Sequence, residues 1–245
     1  MNAQLRPGER LDDLQNGYCL IQRPDMFCLS TDSVLLADFA APRAGEMCVD
    51  LGCGNGAIAL LLAARRADAR IDGVELQAQA AEMAVRSVQL NQLEARVRIF
   101  QADMRDCAAL LGCGRYSLAV CNPPYGAQGA TIPSMGEAAR IARHEDGLTV
   151  QDVTATAARL LKFGGRFCTV YPSARALEML DAMRAAAIAP KRIRLIHARV
   201  TQPPKLTLIE GVRGGRPGLH WLPPLLLYDE SGEHGAEWRR IYGRE

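Results

Sequence analysis

Between residues 47 and 212, short apolar runs alternate with helix-patterned stretches, and this alternation restricts the fold more than any other feature of the chain. Runs at 47–50, 71–75, 97–100, 118–121 and 166–171 read as strands. One helix is expected over 55–66, with Ile58, Leu61 and Leu62 on one face, and another over 77–91, with Ala81, Ala84, Val85 and Val88 facing inward. A third spans 150–162 and ends in a left-handed cap at Gly164-Gly165; a fourth, capped by Ser173, runs to about 186. A strand that returns to its sheet through a helix needs a right-handed crossover, so the strands lie parallel and both faces are covered. The last two runs, 192–197 and 206–212, have no helix between them and pair antiparallel at the sheet edge. The expected fold is therefore a doubly wound α/β sheet, mainly parallel, with an antiparallel last strand.

Residues 1–45 read as an N-terminal extension, hairpin-like over 18–27 and helical over 30–39, with Ser30 or Thr31 as N-cap. Residues 46–245 then form the main domain and its C-terminal tail. With 245 residues and 49% hydrophobic content the chain has enough apolar surface to bury a core, which excludes intrinsic disorder. No apolar run approaches the roughly 20 residues that cross a bilayer, and the polar N-terminus around Pro7-Gly8 is not a secretory signal. A cytoplasmic address without membrane contact is expected. The eight cysteines are dispersed, with neither Cys-x-x-Cys nor zinc-finger spacing, so no metal site is expected and they read as reduced, mostly buried thiols.

The net charge is only +2, yet eight basic residues and a single acid, Glu210, fall between Arg184 and Arg216. A local cationic face on a near-neutral protein points to a polyanionic partner, with Arg192, Arg194 and Lys205 as candidate nucleic-acid contacts. The competing reading is a solvated face balanced by acids folded beside it.

Asp50-Leu51-Gly52-Cys53-Gly54-Asn55-Gly56 ends the first strand of the alternation and opens its first helix. Glycines there allow a tight turn and close approach to a ligand, beside the unpaired N–H groups of a helix start. Glu75 ends the next strand, where a carboxylate accepts from ribose hydroxyls. The loop also satisfies the looser dinucleotide pattern, so a nicotinamide or flavin stays open on the loop alone. Three features favour S-adenosyl-L-methionine. Asp50 faces a cationic amino-acid tail more readily than a pyrophosphate, the spacing of Gly52, Gly54 and Gly56 is Gly-x-Gly-x-Gly, and Asp103 is placed to accept from an adenine amine. Asp103 also reads as a helix N-cap.

Asn122-Pro123-Pro124-Tyr125 follows the fourth strand, at the carboxyl edge where open α/β sheets bind ligands. Two prolines stiffen the turn and remove two N–H donors, leaving carbonyl oxygens as acceptors. An amine on an aromatic ring is a poor nucleophile because its lone pair is delocalised. If the Asn122 side-chain oxygen and the Pro123 carbonyl each accept one N–H, the nitrogen turns tetrahedral and its lone pair can attack a sulfonium methyl. Tyr125 stacks on the base. Positioning and electrostatics then supply most of the rate.

These residues resemble a class I S-adenosylmethionine-dependent methyltransferase, which implies a Rossmann-like sheet, and the Asn-Pro-Pro-Tyr motif is similar to that of N6-adenine, guanine-N2 and protein glutamine methyltransferases. The flanks narrow the resemblance. Gln22-Arg23-Pro24-Asp25-Met26-Phe27 with Ser30-Thr31-Asp32-Ser33-Val34-Leu35-Leu36, Ala139-Arg140-Ile141-Ala142-Arg143-His144-Glu145, and the C-terminal Leu227-Tyr228-Asp229-Glu230 with Ile241-Tyr242-Gly243 resemble the bacterial tRNA1(Val) (adenine-N6)-methyltransferase family. That resemblance implies methylation of adenine 37 of a tRNA, beside the anticodon. It sets Thr31 and Asp32 either over the cofactor or merely at a helix cap. It places Arg140, Arg143 and His144 on tRNA phosphates or on a solvated face. Alternatives are an rRNA guanine-N2 or protein glutamine-N5 methyltransferase, or a non-catalytic RNA-binding relative.

Overall fold

A computed structural model of the chain describes residues 5–14, 17–124 and 147–243. Strands β1 (Arg10–Asp13) and β2 (Cys19–Gln22) form an antiparallel ribbon, followed by helix α1 (Thr31–Ala40). The alternation then builds β3 (Met47–Leu51), α2 (Ala57–Arg65), β4 (Arg70–Glu75), α3 (Ala78–Leu90), β5 (Val97–Gln101), α4 (Cys107–Leu111) and β6 (Tyr116–Cys121). Beyond residue 146 come α5 (Val150–Leu160), β7 (Leu161–Pro172), α6 (Ala176–Ala185), β8 (Ile188–His197), β9 (Leu206–Arg213), β10 (His220–Trp221), β11 (Leu225–Leu226) and α7 (Ala236–Ile241).

The main sheet runs β10-β8-β9-β7-β6-β3-β4-β5, with β11 also on β8. Strands β5, β4, β3, β6 and β7 are mutually parallel, and β9 is antiparallel to both β7 and β8. This is the mainly parallel sheet with one reversed strand that the alternation implies. The reversed strand is nevertheless interior, because β8 lies outside it and β10 and β11 close the edge.

Alternate residues of each central strand enter two separate cores. Leu118 and Val120 of β6 join α1 and α2 on one face, whereas Ala119 and Cys121 join α4, α5 and α6 on the other. Burial on both faces is why these strands read as continuous apolar runs. Helix α2 is buried at every position from Ala57 to Ala63 rather than on one face, since α1 packs over its outer side. In α3 the buried stripe holds Ala80, Ala81, Met83, Ala84, Ser87 and Val88, and Val85, expected inward, is exposed.

Two expected caps are not made. Helix α5 ends at Leu160 with an extended Leu161, and the following glycines instead form a bulge between the paired residues Leu161 and Arg166. A Cβ on Gly165 would come within 3.0 Å of the Tyr116 carbonyl oxygen, so the strand passes there only without a side chain. Ser173 sits in a 3-10 turn and spends its hydroxyl on Thr207 at 2.8 Å. Five cysteines (48, 53, 107, 121 and 168) are buried, Cys113 is exposed, and all eight are free thiols.

The two C-terminal segments singled out by the sequence meet through an aromatic column. Tyr228, His234, Trp238 and Tyr242 stack with successive centroids 4.8, 3.6 and 3.9 Å apart. The column joins α7 to the turn after β11 and fastens the tail to the domain. Among the described residues no helix is long and apolar enough to cross a membrane.

Candidate active site

Strand order reverses at β3, which has β4 on one side and β6 on the other. Their crossover connections leave on opposite faces, so a crevice opens at the carboxyl ends of β3, β4, β5 and β6. A cavity of about 160 Å³ lies there, and its wall includes Gly52, Gly54, Glu75, Asp103, Asn122 and Pro123. Four segments distant in the chain are thus brought together by topology alone.

Glu75 organises the glycine turn. One carboxylate oxygen accepts the Gly54 N–H at 2.8 Å and the other accepts the Gln77 N–H at 2.8 Å. Each oxygen can accept more than one hydrogen bond, so a buried carboxylate held this way still presents acceptors to ribose hydroxyls. Gly56 does a different job from Gly52 and Gly54. It is the N-cap of α2, with φ at +87°, and a Cβ would stand 3.1 Å from the Ala84 Cβ. It therefore lets α2 approach α3 and is absent from the cavity wall.

Asp50 also stands off the wall, at 0% exposure behind the turn, and neither of its oxygens has a hydrogen-bond partner among the described residues. Burial pushes its carboxyl up to about 7; the Ala59 N–H opposes this without completing a hydrogen bond, and Glu75 adds to the rise. Asp50, expected to face a cationic amino-acid tail, thus stands behind the turn and off the cavity wall.

Asp103 lines the cavity and is already engaged by Arg105, whose backbone N–H donates at 2.8 Å and whose Nε lies 3.0 Å from both carboxylate oxygens. Arg105 holds the Asp103 carboxyl below its usual range. Helix α4 is preceded by Asp106, which makes no side-chain cap, so Asp103 closes a local turn and is not the N-cap.

The N-terminal extension contributes more than the sequence indicated. Met26, Phe27 and Ser33 line the cavity, whereas Thr31 and Asp32 do not. Ser30 caps α1, accepting from the Ser33 N–H, and Asp32 lies in the first turn where the helix dipole favours an acid. Strand β2 is docked on α3, because Ser87 accepts the Ile21 N–H at 3.0 Å and Asn91 exchanges two hydrogen bonds with Cys19. Gln22, at 1% exposure, accepts from the Leu29 N–H and from the Asn55 side-chain amide. Sequence reasoning missed Gln22 and Arg105 as site residues; the only signals were the flanking segment that begins at Gln22 and a basic residue two positions after Asp103.

Asn122 and the two prolines stand where the motif predicted, on the cavity wall at the end of β6. Tyr125, Arg140, Arg143 and His144 lie outside the described residues. Two of the remaining basic candidates are engaged by acids. Arg192 donates to both oxygens of Glu210, at 2.9 and 2.7 Å, and lies 4.7 Å over the Phe39 ring. Arg194 forms a bidentate pair with Glu237 at 2.9 and 2.6 Å. Acids from inside and outside the cationic stretch have folded beside it and pair with these two guanidinium groups. Lys205 is exposed.

The lining fits a donor with a cationic centre, a ribose and an adenine. Glu75 and Asp103 are acidic, Asp50 adds an unpartnered buried carboxyl behind the turn, and Phe27, Leu76, Met83 and Met104 form an apolar wall.

Comparison with known proteins agrees with this geometry. The model of the methyltransferase small domain family matches residues 18–187. A tRNA1(Val) (adenine(37)-N6)-methyltransferase of Dickeya chrysanthemi is 35% identical over 220 residues, 87% of this chain and 85% of that protein. Its namesake in Tolumonas auensis is 30% identical over 182 residues, 74% of each chain. Among solved structures, a predicted O-methyltransferase from Agrobacterium tumefaciens, 24% identical, reaches a TM-score of 0.72 over 87% of this chain and 97% of that one, a likeness of fold alone. The match begins just before β2 and continues past α6, and the relatives align over most of their own length. This chain therefore belongs to the methyltransferase small domain family, and within it to the tRNA1(Val) (adenine(37)-N6)-methyltransferases.

Proposed function

We propose that the enzyme transfers a methyl group from S-adenosyl-L-methionine to the exocyclic N6 of the adenine at position 37 of a tRNA, in the cytoplasm. The observation that carries this reading is the placement of Asn122-Pro123-Pro124 on the wall of the cavity that Gly52, Gly54 and Glu75 also line. When bound, S-adenosyl-L-methionine supplies an electrophilic sulfonium methyl group.

The chain's own residues do the rest. Glu75 orients the ribose, Asp103 accepts from the adenine of the donor, and Asp50 contributes negative charge behind the amino-acid end. The Asn122 side-chain oxygen and the Pro123 carbonyl accept the two N–H bonds of the target amine, turning its lone pair toward the methyl carbon. No strong base is required, because the methylated amine releases its extra proton readily to water. Tyr125 stacks on the base, and Arg140, Arg143, His144 and Lys205 contact RNA phosphates. Residues 1–45 act as an extension that closes the cofactor side of the 46–245 domain, which is supported by Met26 and Phe27 on the cavity wall.

Incubation with labelled methyl donor and total tRNA lacking the modification, followed by nucleoside analysis, tests this reading. Label in N6-methyladenosine is expected. Label in N2-methylguanosine, or in protein glutamine, overturns it.

A further inference from the structure

A second cavity, of about 210 Å³, meets the donor cavity across the proline turn. The two share Pro123, Pro124 and Leu148. The far wall of the second is built by Tyr171 at the end of β7 and by Arg175 and Glu178 at the start of α6. Arg175 donates to Glu178 through Nε at 2.8 Å and Nη2 at 2.9 Å, and its guanidinium lies 5.4 Å over the Tyr171 ring. Arg175 thus links Glu178 to the Tyr171 ring, so the three side chains form one unit.

In-line attack requires the amine to approach the methyl carbon opposite the sulfonium sulfur, beside the proline turn. The second cavity adjoins that turn, and the nucleotide carrying the amine brings phosphodiester anions with it. Arg175 is planar and forked, a geometry that suits a phosphate as well as it suits the carboxylate it now holds. The pair with Glu178 is weak enough to exchange: its side chains are 31% and 37% exposed, and ion pairs in such settings contribute about 0–1 kcal/mol. Stacking on Tyr171 keeps the guanidinium in place while its partner changes.

Resting on the function proposed above, we propose that this second cavity receives the acceptor nucleotide and that Arg175 binds its flanking phosphodiester, displacing Glu178. Glu178 is thus a resident anion that positions Arg175 and shields it from unspecific anions.

The test is steady-state methylation of unmodified tRNA by wild type, Arg175→Ala, Arg175→Lys and Glu178→Gln, with binding of an anticodon stem-loop measured against salt. Arg175→Ala is expected to raise the KM for tRNA roughly tenfold and to reduce the log-affinity against log-salt slope by about 0.7–0.9. The KM for the methyl donor stays within about twofold, which also shows that the variant is folded. Arg175→Lys restores part of the salt slope, and Glu178→Gln lowers the KM for tRNA. Unchanged tRNA KM and salt slope in Arg175→Ala overturn the proposal, as does equal damage to both substrates' KM. If wild type leaves tRNA unmethylated, the functional reading falls; the stem-loop titration still decides for Arg175, with equal binding by wild type and variant, or none by either, counting against it.

Discussion

Gln22 and Asn55 stand 33 residues apart in the chain and 3.2 Å apart in the fold, the Asn55 amide donating to the Gln22 side-chain oxygen. Because the same oxygen accepts the Leu29 N–H, one buried side chain joins the N-terminal ribbon, the approach to α1 and the glycine turn. Replacing it by alanine leaves buried donors without partners, at a cost of about 1–3 kcal/mol. Gln22→Ala is expected to lower the melting temperature and weaken methyl-donor affinity several-fold by calorimetry. An unaltered affinity would reduce the ribbon to a passive cover.

Asn122 is expected to matter for the chemical step more than for donor binding. Asn122→Ala removes an oriented acceptor whose partner is the reacting amine, and turnover should fall by at least about a hundredfold. Equilibrium dialysis should find the donor bound within a few fold of wild type. Retained turnover would eliminate the amine-polarising role.

Glu210 lies at the centre of a buried network. It accepts from Arg192 and, at 3.1 Å, from Arg166, which is 5% exposed and also bonds the Ala40 carbonyl at 2.9 Å and Glu46 at 2.8 Å. Removing its charge takes one of two carboxylates from the buried Arg166 and the bidentate partner from Arg192, and Glu210→Gln should cost up to about 3 kcal/mol of stability. Charge reversal at Arg192 is expected to behave likewise, losing stability in urea melts while the salt dependence of RNA binding in any folded fraction stays as in wild type. A folded Arg192→Glu with a reduced salt slope would return that residue to the RNA interface.

Asp50 gives a pH signature to the unliganded protein. Its carboxyl rises on folding from 3.8 to about 7 through burial, so the folded state holds this proton more tightly than the unfolded chain. The associated stability is fully present below pH 3.8 and is lost as the pH rises through about 7. Asp50→Asn keeps the shape and removes the titration. The melting temperature of the variant relative to wild type should therefore climb from about pH 4 to about pH 7 and then level off in differential scanning calorimetry. A constant offset across that range would mean that Asp50 is ionised in the fold.

Much of this molecule was legible in its residues. The strand–helix alternation implied the sheet, and Asn122-Pro123-Pro124 could be placed at a strand's carboxyl end because proline chemistry and topology act locally. Glu75 was assigned from its position at the end of a strand. The α5 cap was misread because Gly164 and Gly165 signal a turn without saying which; the close approach of the Tyr116 carbonyl, which makes it a strand bulge, is a nonlocal contact.

Sequence alone determined the class of fold and the place of the proline turn at a strand's carboxyl end, since periodicity, glycine spacing and paired prolines restrict the backbone residue by residue. Tertiary structure decided which charges are available. The cationic excess between Arg184 and Arg216 reads as a single binding face along the chain, yet Glu210 and Glu237 pair with Arg192 and Arg194 in the fold, because an ion pair depends on distance in space and the chain reveals only distance along itself. The same folding set Asp50 behind the cavity wall and brought Gln22 to the glycine turn, 33 residues away in the chain.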